Sequence, residues 1–314
     1  YGGGFAGGAR DVYIALFSAD FSSLDACTYL GGHDWGEPFH GGEHEGGCDE
    51  AYGIVFDTQG NLVLVGTTEP VTFFAYPGKA SHLVPEGCTV HQLAAASDDC
   101  GAALEAVADA LGASADGFVG AHAGRPALPA GVLSAQSVCD ALGALMPEGA
   151  IISDEGNTAG LYLSGATAGA PPHDWLCLTG GAIGQGMPLA VGAAVACPDR
   201  RVINVEADGS AMYTAQALWT QAREGLDVTT VVMNNGSYAV LNMELARVGA
   251  EEPGPRASAM LDISGPTLDF VSLATGMGVP ATRATTAEEF SEQLGRSLAT
   301  EGPTLIEAMV PAGL

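Results

Sequence analysis

Two short polar motifs, Asp208-Gly209-Ser210 and Asn234-Asn235, end two consecutive apolar runs and constrain this chain more than any other feature. The runs, Val202-Ile203-Asn204-Val205 and Val228-Thr229-Thr230-Val231-Val232-Met233, have the β-branched content of buried strands. One helical stretch, Ala211 to about Glu224, lies between them, so the segment reads as strand, helix, strand. A crossover of that length joins parallel strands, is right-handed, and brings both strand ends to one edge of the sheet. A carboxylate and a carboxamide oxygen then meet beside a helix N-terminus. That is a place to hold a hard dication and a phosphate group together.

The charge balance sharpens this reading. The chain has 37 acidic against 10 basic residues, a formal net charge of -27, and Lys79 is its only lysine. Between residues 150 and 240 the only arginines are Arg200, Arg201 and Arg223. An anionic ligand beside Asp208 would meet repulsion on the order of 10 kcal/mol at an effective dielectric near 20. A bound dication reverses that sign, and magnesium suits a site that shares oxygens between protein, water and phosphate. The same acidity argues against nucleic acid and anionic membranes as partners, although high solubility or salt adaptation explains much of it. No apolar run reaches the roughly 20 residues needed to span a bilayer. The seven cysteines are scattered without a Cys-x-x-Cys pair, which predicts free thiols in a reducing, cytoplasmic setting. The chain starts at Tyr1 with no signal peptide, and is expected to be part of something longer.

The pattern changes near residue 68. Before it come short alternating runs, Val12 to Phe17, Tyr52 to Phe56 and Asn61 to Val65, with Asp57-Thr58-Gln59-Gly60-Asn61 as a tight hairpin signal. Thr28 to Gly32 and Asp49 to Thr68 resemble one blade of the bacterial β-propeller repeat, interrupted by an insertion from His33 to Cys48. One blade cannot close a propeller. The insertion offers His33, Asp34, His40, Glu43, His44, Glu45 and Cys48 as conceivable metal ligands, but no pair has a known ligand spacing and a Gly-rich loop is the better reading. A Cys27–Cys48 disulfide is expected only if this segment is extracellular.

From about 69 the pattern is α/β. Pro70 to Gly78 reads as a strand and turn, and Ala102 to Leu111 as an amphipathic helix. Residues 69–122 form one segment, 123–131 a proline-containing linker, and 132–314 a domain in which strands alternate with helices. Its strands include Ala150 to Ser153, Asp174 to Leu178, the two already named, and Thr304 to Met309. Such alternation predicts a doubly wound parallel sheet with its ligand at the carboxyl ends of the strands. Those ends carry Asp154-Glu155-Gly156-Asn157-Thr158-Ala159-Gly160 and Thr179-Gly180-Gly181-Ala182-Ile183-Gly184-Gln185-Gly186-Met187-Pro188, which enters a small-residue helix from Leu189 to Ala196. Four neighbouring strand tops are expected to face one crevice.

With these motifs together, the stretch from Val71 to the C-terminus resembles the thiamin-diphosphate enzymes, and among them the acetolactate synthase large subunit and related 2-keto-acid decarboxylases and carboligases. Asp208-Gly209-Ser210 followed by Asn234-Asn235 looks like the family's cofactor signature, with Ala207 where a glycine usually opens it. The resemblance implies that Asp208 and Asn235 bind magnesium through side-chain oxygens and Ser237 through its main-chain carbonyl. It implies further that Gly209 and Ser210 give amide and hydroxyl contacts to the diphosphate, and that Gly156, Asn157 and Thr158 form the other diphosphate turn. Gly181, Ala182 and Ile183 would line the cofactor, Ile183 as the bulky residue under its bend; an ordinary core isoleucine is the alternative. The implied chemistry starts when a glutamate on a pyrimidine domain protonates the cofactor's aminopyrimidine, so that the thiazolium carbon can attack a 2-keto acid such as pyruvate. That domain is expected on another chain or elsewhere in the full-length protein, with a homo-oligomer when complete. Glu155 and Glu206 fall on the diphosphate side, so neither takes the activating role, and this chain alone is expected to be inactive. Residues 69–122 resemble the tail of the family's middle domain.

Two other readings remain open. Gly181-x-x-Gly184-x-Gly186 between a strand and a helix, with Asp208 ending the next strand, could serve a nicotinamide oxidoreductase, but its spacing is wrong and Asn234-Asn235 stays unexplained. A non-catalytic binding module with the blade as its functional part is the other. Asn242, Met243, Glu244, Leu245 and Arg247 could line the site's mouth or form a solvated amphipathic helix.

Overall fold

The computed structural model describes residues 12–17, 24–30, 53–56, 61–71, 78, 80–110, 112, 124–249 and 254–312. The insertion from His33 to Cys48, the hairpin turn at 57–60 and the expected strand at 72–77 lie outside them. So do the candidate metal ligands and the Cys27–Cys48 pair, of which only the Cys27 backbone is described. The chain divides into two compact units, with the main boundary between His122 and Ala123.

In the first unit, β1 (Val12–Phe17) and β2 (Leu24–Leu30) pair antiparallel. A separate three-stranded sheet joins β3 (Gly53–Phe56), β4 (Leu62–Val65) and β5 (Val90–Ala94). β3 and β4 pair antiparallel, with Phe56 opposite Leu62, as the hairpin signal predicts. The other neighbour of β4 is β5, and it runs parallel. The sheet therefore continues across residue 68, where the composition changes. Helix α1 (Cys100–Ala110) packs near β5 through Cys100, Ala103 and Leu104, against Val65 and Ala94.

The second unit is built on a six-stranded parallel sheet. In chain order it contains α2 (Ala135–Leu145), β6 (Ile151–Glu155), α3 (Leu163–Thr167), β7 (Asp174–Cys177), α4 (Gly186–Ala196), β8 (Val202–Ala207), α5 (Asp208–Thr214), α6 (Ala217–Glu224) and β9 (Val228–Asn234). Then follow α7 (Ala239–Arg247), α8 (Pro255–Leu261), α9 (Phe270–Gly276), β10 (Ala281–Ala284), α10 (Ala287–Leu298) and β11 (Thr304–Met309). The strand order is β10-β11-β9-β8-β6-β7. The expected doubly wound α/β fold is thus present, and the four motif-bearing strands are contiguous. Between β6 and β8 the chain direction reverses, because it first runs outward to β7 and then returns to the other side of β6. Ligands of open α/β sheets bind at such a switch point.

Burial follows from alternation along the strands. Ile203, Val205, Val231 and Met233 face one side, with Val138, Leu142 and Phe290 of α2 and α10. Val232 and Leu305 face the other, with Met187, Leu218 and Phe270. Each face carries a fully buried apolar layer, which fixes the register: a slip by one residue would exchange the two layers. Helix ends are specified locally. Ser134 and Ser137 form a capping box at α2, Thr286 and Glu289 another at α10, and Gly225 closes α6 at φ 63°.

Two details differ from the sequence expectation. The single helix expected from Ala211 starts at Asp208 and is split into α5 and α6, with Leu218 N–H and Trp219 N–H donating three residues back, to Ala215 and Gln216. The Thr214 hydroxyl donates to the Gly184 carbonyl at 2.9 Å, drawing the end of α5 toward the neighbouring turn. The strand β10 was not anticipated, because Ala281-Thr282-Arg283-Ala284 on a sheet edge has no apolar run to announce it. Among the described residues no helix is long and apolar enough to cross a membrane.

Candidate functional site

The tops of β6, β7, β8 and β9 each release a turn rich in small and polar residues. After β9, the turn Asn235-Gly236-Ser237 folds back over the end of β8. Asp208 is 1% exposed, and its carboxylate collects three backbone amides: Gly209 at 2.8 Å on Oδ1, and Asn235 at 3.0 Å and Gly236 at 2.6 Å on Oδ2. Burial pushes its carboxyl up, against the pull of those amides. Asn235 Oδ1 accepts from Ser237 N–H at 2.9 Å. The sequence motif therefore comes together as expected, with Asp208 and the Asn235 turn joined by direct hydrogen bonds. A cavity of about 240 Å³ adjoins this turn, lined by Asn235, Ser237, Asn242, Ser258, Asp262 and Ser264 among others. Asn242, expected at the mouth, donates to Ser237 Oγ at 3.1 Å.

Supports for this turn lie farther off in sequence. Asn234 Nδ2 donates to Glu307 Oε1 at 2.7 Å, while Gly236 N–H also reaches Asn234 Oδ1 at 3.3 Å. Glu307 is fully buried in β11, and Arg283 Nε on β10 donates to its other oxygen at 2.8 Å. Arg283 also pairs with Asp269 at 2.8 Å. Sequence reading missed Glu307 and Arg283; the one signal was a glutamate inside an otherwise apolar strand.

The turn after β6, expected at the diphosphate, is shaped by its backbone. Asn157 adopts φ 49°, the sole described non-glycine residue with positive φ, and its side chain donates to the Glu155 carbonyl at 3.0 Å. A Cβ on Gly156 would sit 2.9 Å from Met233 Cε and 3.0 Å from Gly160 Cα, so the position excludes a side chain. Gly156 N–H donates to Asp154 Oδ1 at 3.0 Å. Burial raises the Asp154 carboxyl to about 6, opposed by that amide and reinforced by the charge of Glu155. Thr158 is buried at 7% exposure.

The turn after β7 leaves Gly181, Ala182 and Ile183 exposed. Ile183 is 39% exposed, so it is not the core isoleucine that the sequence left open as the alternative. Leu161, Met212 and Tyr213 are also exposed, on the turn after β6 and on α5. Behind Ile183 the amides of Gly184 and Gly186 both donate to the Glu155 carboxylate, one to each oxygen. That arrangement counts against the nicotinamide reading, because these amides face the interior rather than a ligand. Glu155 and Glu206 are register partners on β6 and β8, are 1% and 0% exposed, and burial raises both carboxyls.

Two residues expected at the diphosphate have hydrogen-bond partners within the protein. The Gly209 amide donates to Asp208 Oδ1 at 2.8 Å. The Ser210 hydroxyl is buried, with Ala207 O at 3.1 Å and Glu155 O and Glu206 Oε2 at 3.3 Å, so it points into the fold. The Tyr238 ring lies against the backbone of Gly209, where an added Cβ would run into it.

The three arginines lie away from these strand tops. Arg200 pairs with Asp174 at 2.5 Å and donates to Gly149 O, Arg201 donates to Thr300 O at 2.7 Å, and Arg223 pairs with Glu224 at 3.2 Å. Gly149 and Thr300 precede strands and Asp174 opens one, so all three lie at the opposite ends of their strands. Carboxylate, carboxamide and hydroxyl oxygens are the donor set at the crevice, which suits a hard dication and not an unaccompanied anion.

Comparison with known proteins places the fold in a family. Residues 159–308 match the family described as thiamine pyrophosphate enzyme, C-terminal TPP binding domain. IlvX of Mycobacterium tuberculosis, a protein of the acetolactate synthase large-subunit kind, is 58% identical over 255 residues, covering 80% of this chain and 49% of its own length. The benzoylformate decarboxylase of Pseudomonas aeruginosa is 34% identical over 212 residues, covering 67% of this chain and 39% of its own. In structure, the thiamine diphosphate-dependent 4-hydroxybenzoylformate decarboxylase of Rhodococcus jostii superposes with a TM-score of 0.63 at 28% identity, over 79% of this chain and 48% of that one. The chain spans about half, or less, of the length of these relatives. Its α/β unit belongs to the thiamin-diphosphate enzyme family, as the C-terminal cofactor-binding domain.

Proposed function

We propose that this chain binds thiamin diphosphate with magnesium in the crevice above β6, β7, β8 and β9, as the diphosphate half of a 2-keto-acid decarboxylase or carboligase. The observation that carries this reading is Asp208 fastened to the amides of Asn235 and Gly236, with Arg200, Arg201 and Arg223 all paired elsewhere. A carboxylate offers about four lone-pair sites, and three are taken by amides, so one remains for a cation. Asn235 Oδ1 has likewise one amide contact and a second lone pair. Ser237 would add its main-chain carbonyl. The dication would draw in the diphosphate, Gly156 to Thr158 would wrap it from the β6 side, and the Ser210 amide would meet it from α5.

When bound, the cofactor supplies the carbon nucleophile that takes up a 2-keto acid and lets carbon dioxide leave. The residues of this chain bind, orient and shield. Gly181, Ala182 and Ile183 would carry the cofactor's body, and the exposed side chains of Leu161, Met212 and Tyr213 would supply an apolar rim to be covered. A pyrimidine domain, from a second copy or from the rest of a longer protein, would cover that rim and bring the activating carboxylate. Glu155 cannot serve that role, because both its oxygens are turned to the Gly184 and Gly186 amides. Pyruvate is the simplest substrate consistent with the reading.

Titration calorimetry with thiamin diphosphate, with and without magnesium, tests it. Magnesium-dependent binding is expected, and binding of NADH in its place would overturn the reading. Carbon dioxide release from pyruvate by this chain alone would show that the activating group lies within it.

A further inference from the structure

The turn from Ile183 to Gly186 is held by side chains of other elements as well as by its own Gln185, which bonds to Cys177 O and Thr179. Gly184 N–H and Gly186 N–H donate to the two oxygens of Glu155. The Thr214 hydroxyl donates to the Gly184 carbonyl and the Ser153 hydroxyl to the Gly186 carbonyl, both at 2.9 Å. A Cβ placed on Gly186 would lie 2.8 Å from Glu155 Oε2 and 2.5 Å from Glu206 Oε1, so the two carboxyls close on this glycine together. Only an acceptor-only group with two oxygens can take two amides in this way. A glutamine would present a donor to one of them.

Burying a carboxylate with no cation nearby is costly, and an ordinary turn could be held by neutral groups. The charge is kept here immediately behind the one exposed apolar residue of the turn, Ile183. Glu155 also directly precedes Gly156, and its carbonyl accepts from Asn157 Nδ2. One residue thus couples the turn after β6 to the turn after β7.

We infer that Glu155 is a positioning residue: it fixes the turn that presents Ile183, and so sets the surface against which the bent cofactor is pressed. The inference rests on the cofactor reading above. Glu206, its register partner, fills the space beyond Gly186 and keeps a larger residue out of that position.

The test compares the intact chain with its Glu155→Gln and Ile183→Ala forms, by hydrogen exchange over residues 179–189 and by calorimetry with two ligands. The ligands are magnesium with thiamin diphosphate, and magnesium with inorganic diphosphate. Glu155→Gln is expected to speed exchange at Gly184 and Gly186. It should also weaken thiamin diphosphate by about tenfold, the size of a lost charge-assisted hydrogen bond, while inorganic diphosphate changes by less than about threefold. Ile183→Ala, an exposed truncation that leaves the core intact, should show the same ligand selectivity with unchanged exchange. Unchanged exchange in Glu155→Gln overturns the clamp. Faster exchange with both ligands lost in parallel overturns its positioning role, because that is general loosening. If the unmutated chain binds neither ligand, the cofactor reading fails by itself, and the exchange result alone decides the clamp.

Discussion

Asp208 and Glu155 are both buried carboxylates that fasten a turn by its backbone amides, yet they stand in different relations to the ligand. Asp208 takes three amides, two of them from the turn after β9, and keeps a lone pair for a cation. Glu155 takes two amides from the turn after β7 and is walled off by Gly186 and Glu206. On the proposed reading, the carboxylate at the turn after β9 would itself be a metal ligand. At the turn after β7 it is out of reach, and the apolar residue it positions would make the contact. The same local device would then serve recognition of charge in one place and of shape in the other.

The largest expected effect breaks the comparison on the Asp208 side. Asp208→Ala should abolish magnesium-dependent cofactor binding, with a loss of about 100-fold or more in calorimetry. It also leaves three amides without an acceptor, for a cost of about 3 kcal/mol in urea unfolding. Glu155→Gln should lose cofactor affinity by a smaller factor, because no cation bond is removed. Equal losses in both variants would erase the distinction.

A third carboxylate, Asp154, holds the turn after β6 through Gly156 and gives a handle on pH. Burial raises it from an ordinary 3.8 to about 6. A group raised in the folded state binds its proton more tightly there, so its stabilising contribution is full below about pH 3.8 and is lost as pH rises through about 6. Between those values the chain should lose up to about 3 kcal/mol through this group. Asp154→Asn should flatten that fall, measured as the difference between the two proteins' urea midpoints from pH 4 to 7. The difference should persist with magnesium present, because Asp154 is not expected to touch the ion. A slope that magnesium abolishes would place Asp154 among the ligands.

How much of this was legible in sequence follows the range of the interactions. Asp208 and Asn235 were readable because each ends an apolar run, and a short crossover forces those ends together. The α/β fold class was readable for the same reason. The role of Glu155 was not, because Asp154-Glu155-Gly156 looks like any polar turn and its partners Gly184 and Gly186 follow a later strand. Only the sheet order, with β7 outside β6, brings that later turn over Glu155. Glu307 and Arg283 escaped for a related reason: their pairing depends on β10 and β11 lying side by side, and β10 has no apolar signature. The split between α5 and α6 depends on Thr214 reaching Gly184, which helix periodicity cannot reveal.

The cradle side of the comparison is sharpened by Gly186→Ala. The new methyl would sit between the Glu155 and Glu206 carboxyls, at 2.8 Å and 2.5 Å, where one of them must move. Overpacking of this kind costs about 2 kcal/mol. It should also reproduce the ligand selectivity of Glu155→Gln, with thiamin diphosphate weakened and inorganic diphosphate nearly unaffected.

The smallest effect is the control on the same helix. Gly192 lies inside α4 and is exposed, and an alanine methyl there would have nothing within 4 Å, so it meets no obstacle. Removing backbone freedom from the unfolded chain should stabilise the protein by about 0.5–1 kcal/mol, read as a rise in the urea midpoint. Cofactor affinity should not change. Two Gly→Ala changes on one helix, opposite in sign and different in ligand selectivity, would show that Gly186 is dictated by the carboxyl pair behind it and not by the helix it opens. If Gly186→Ala instead behaves like Gly192→Ala, the two carboxyls have room to part, and the cradle turn is held less tightly than its hydrogen bonds imply.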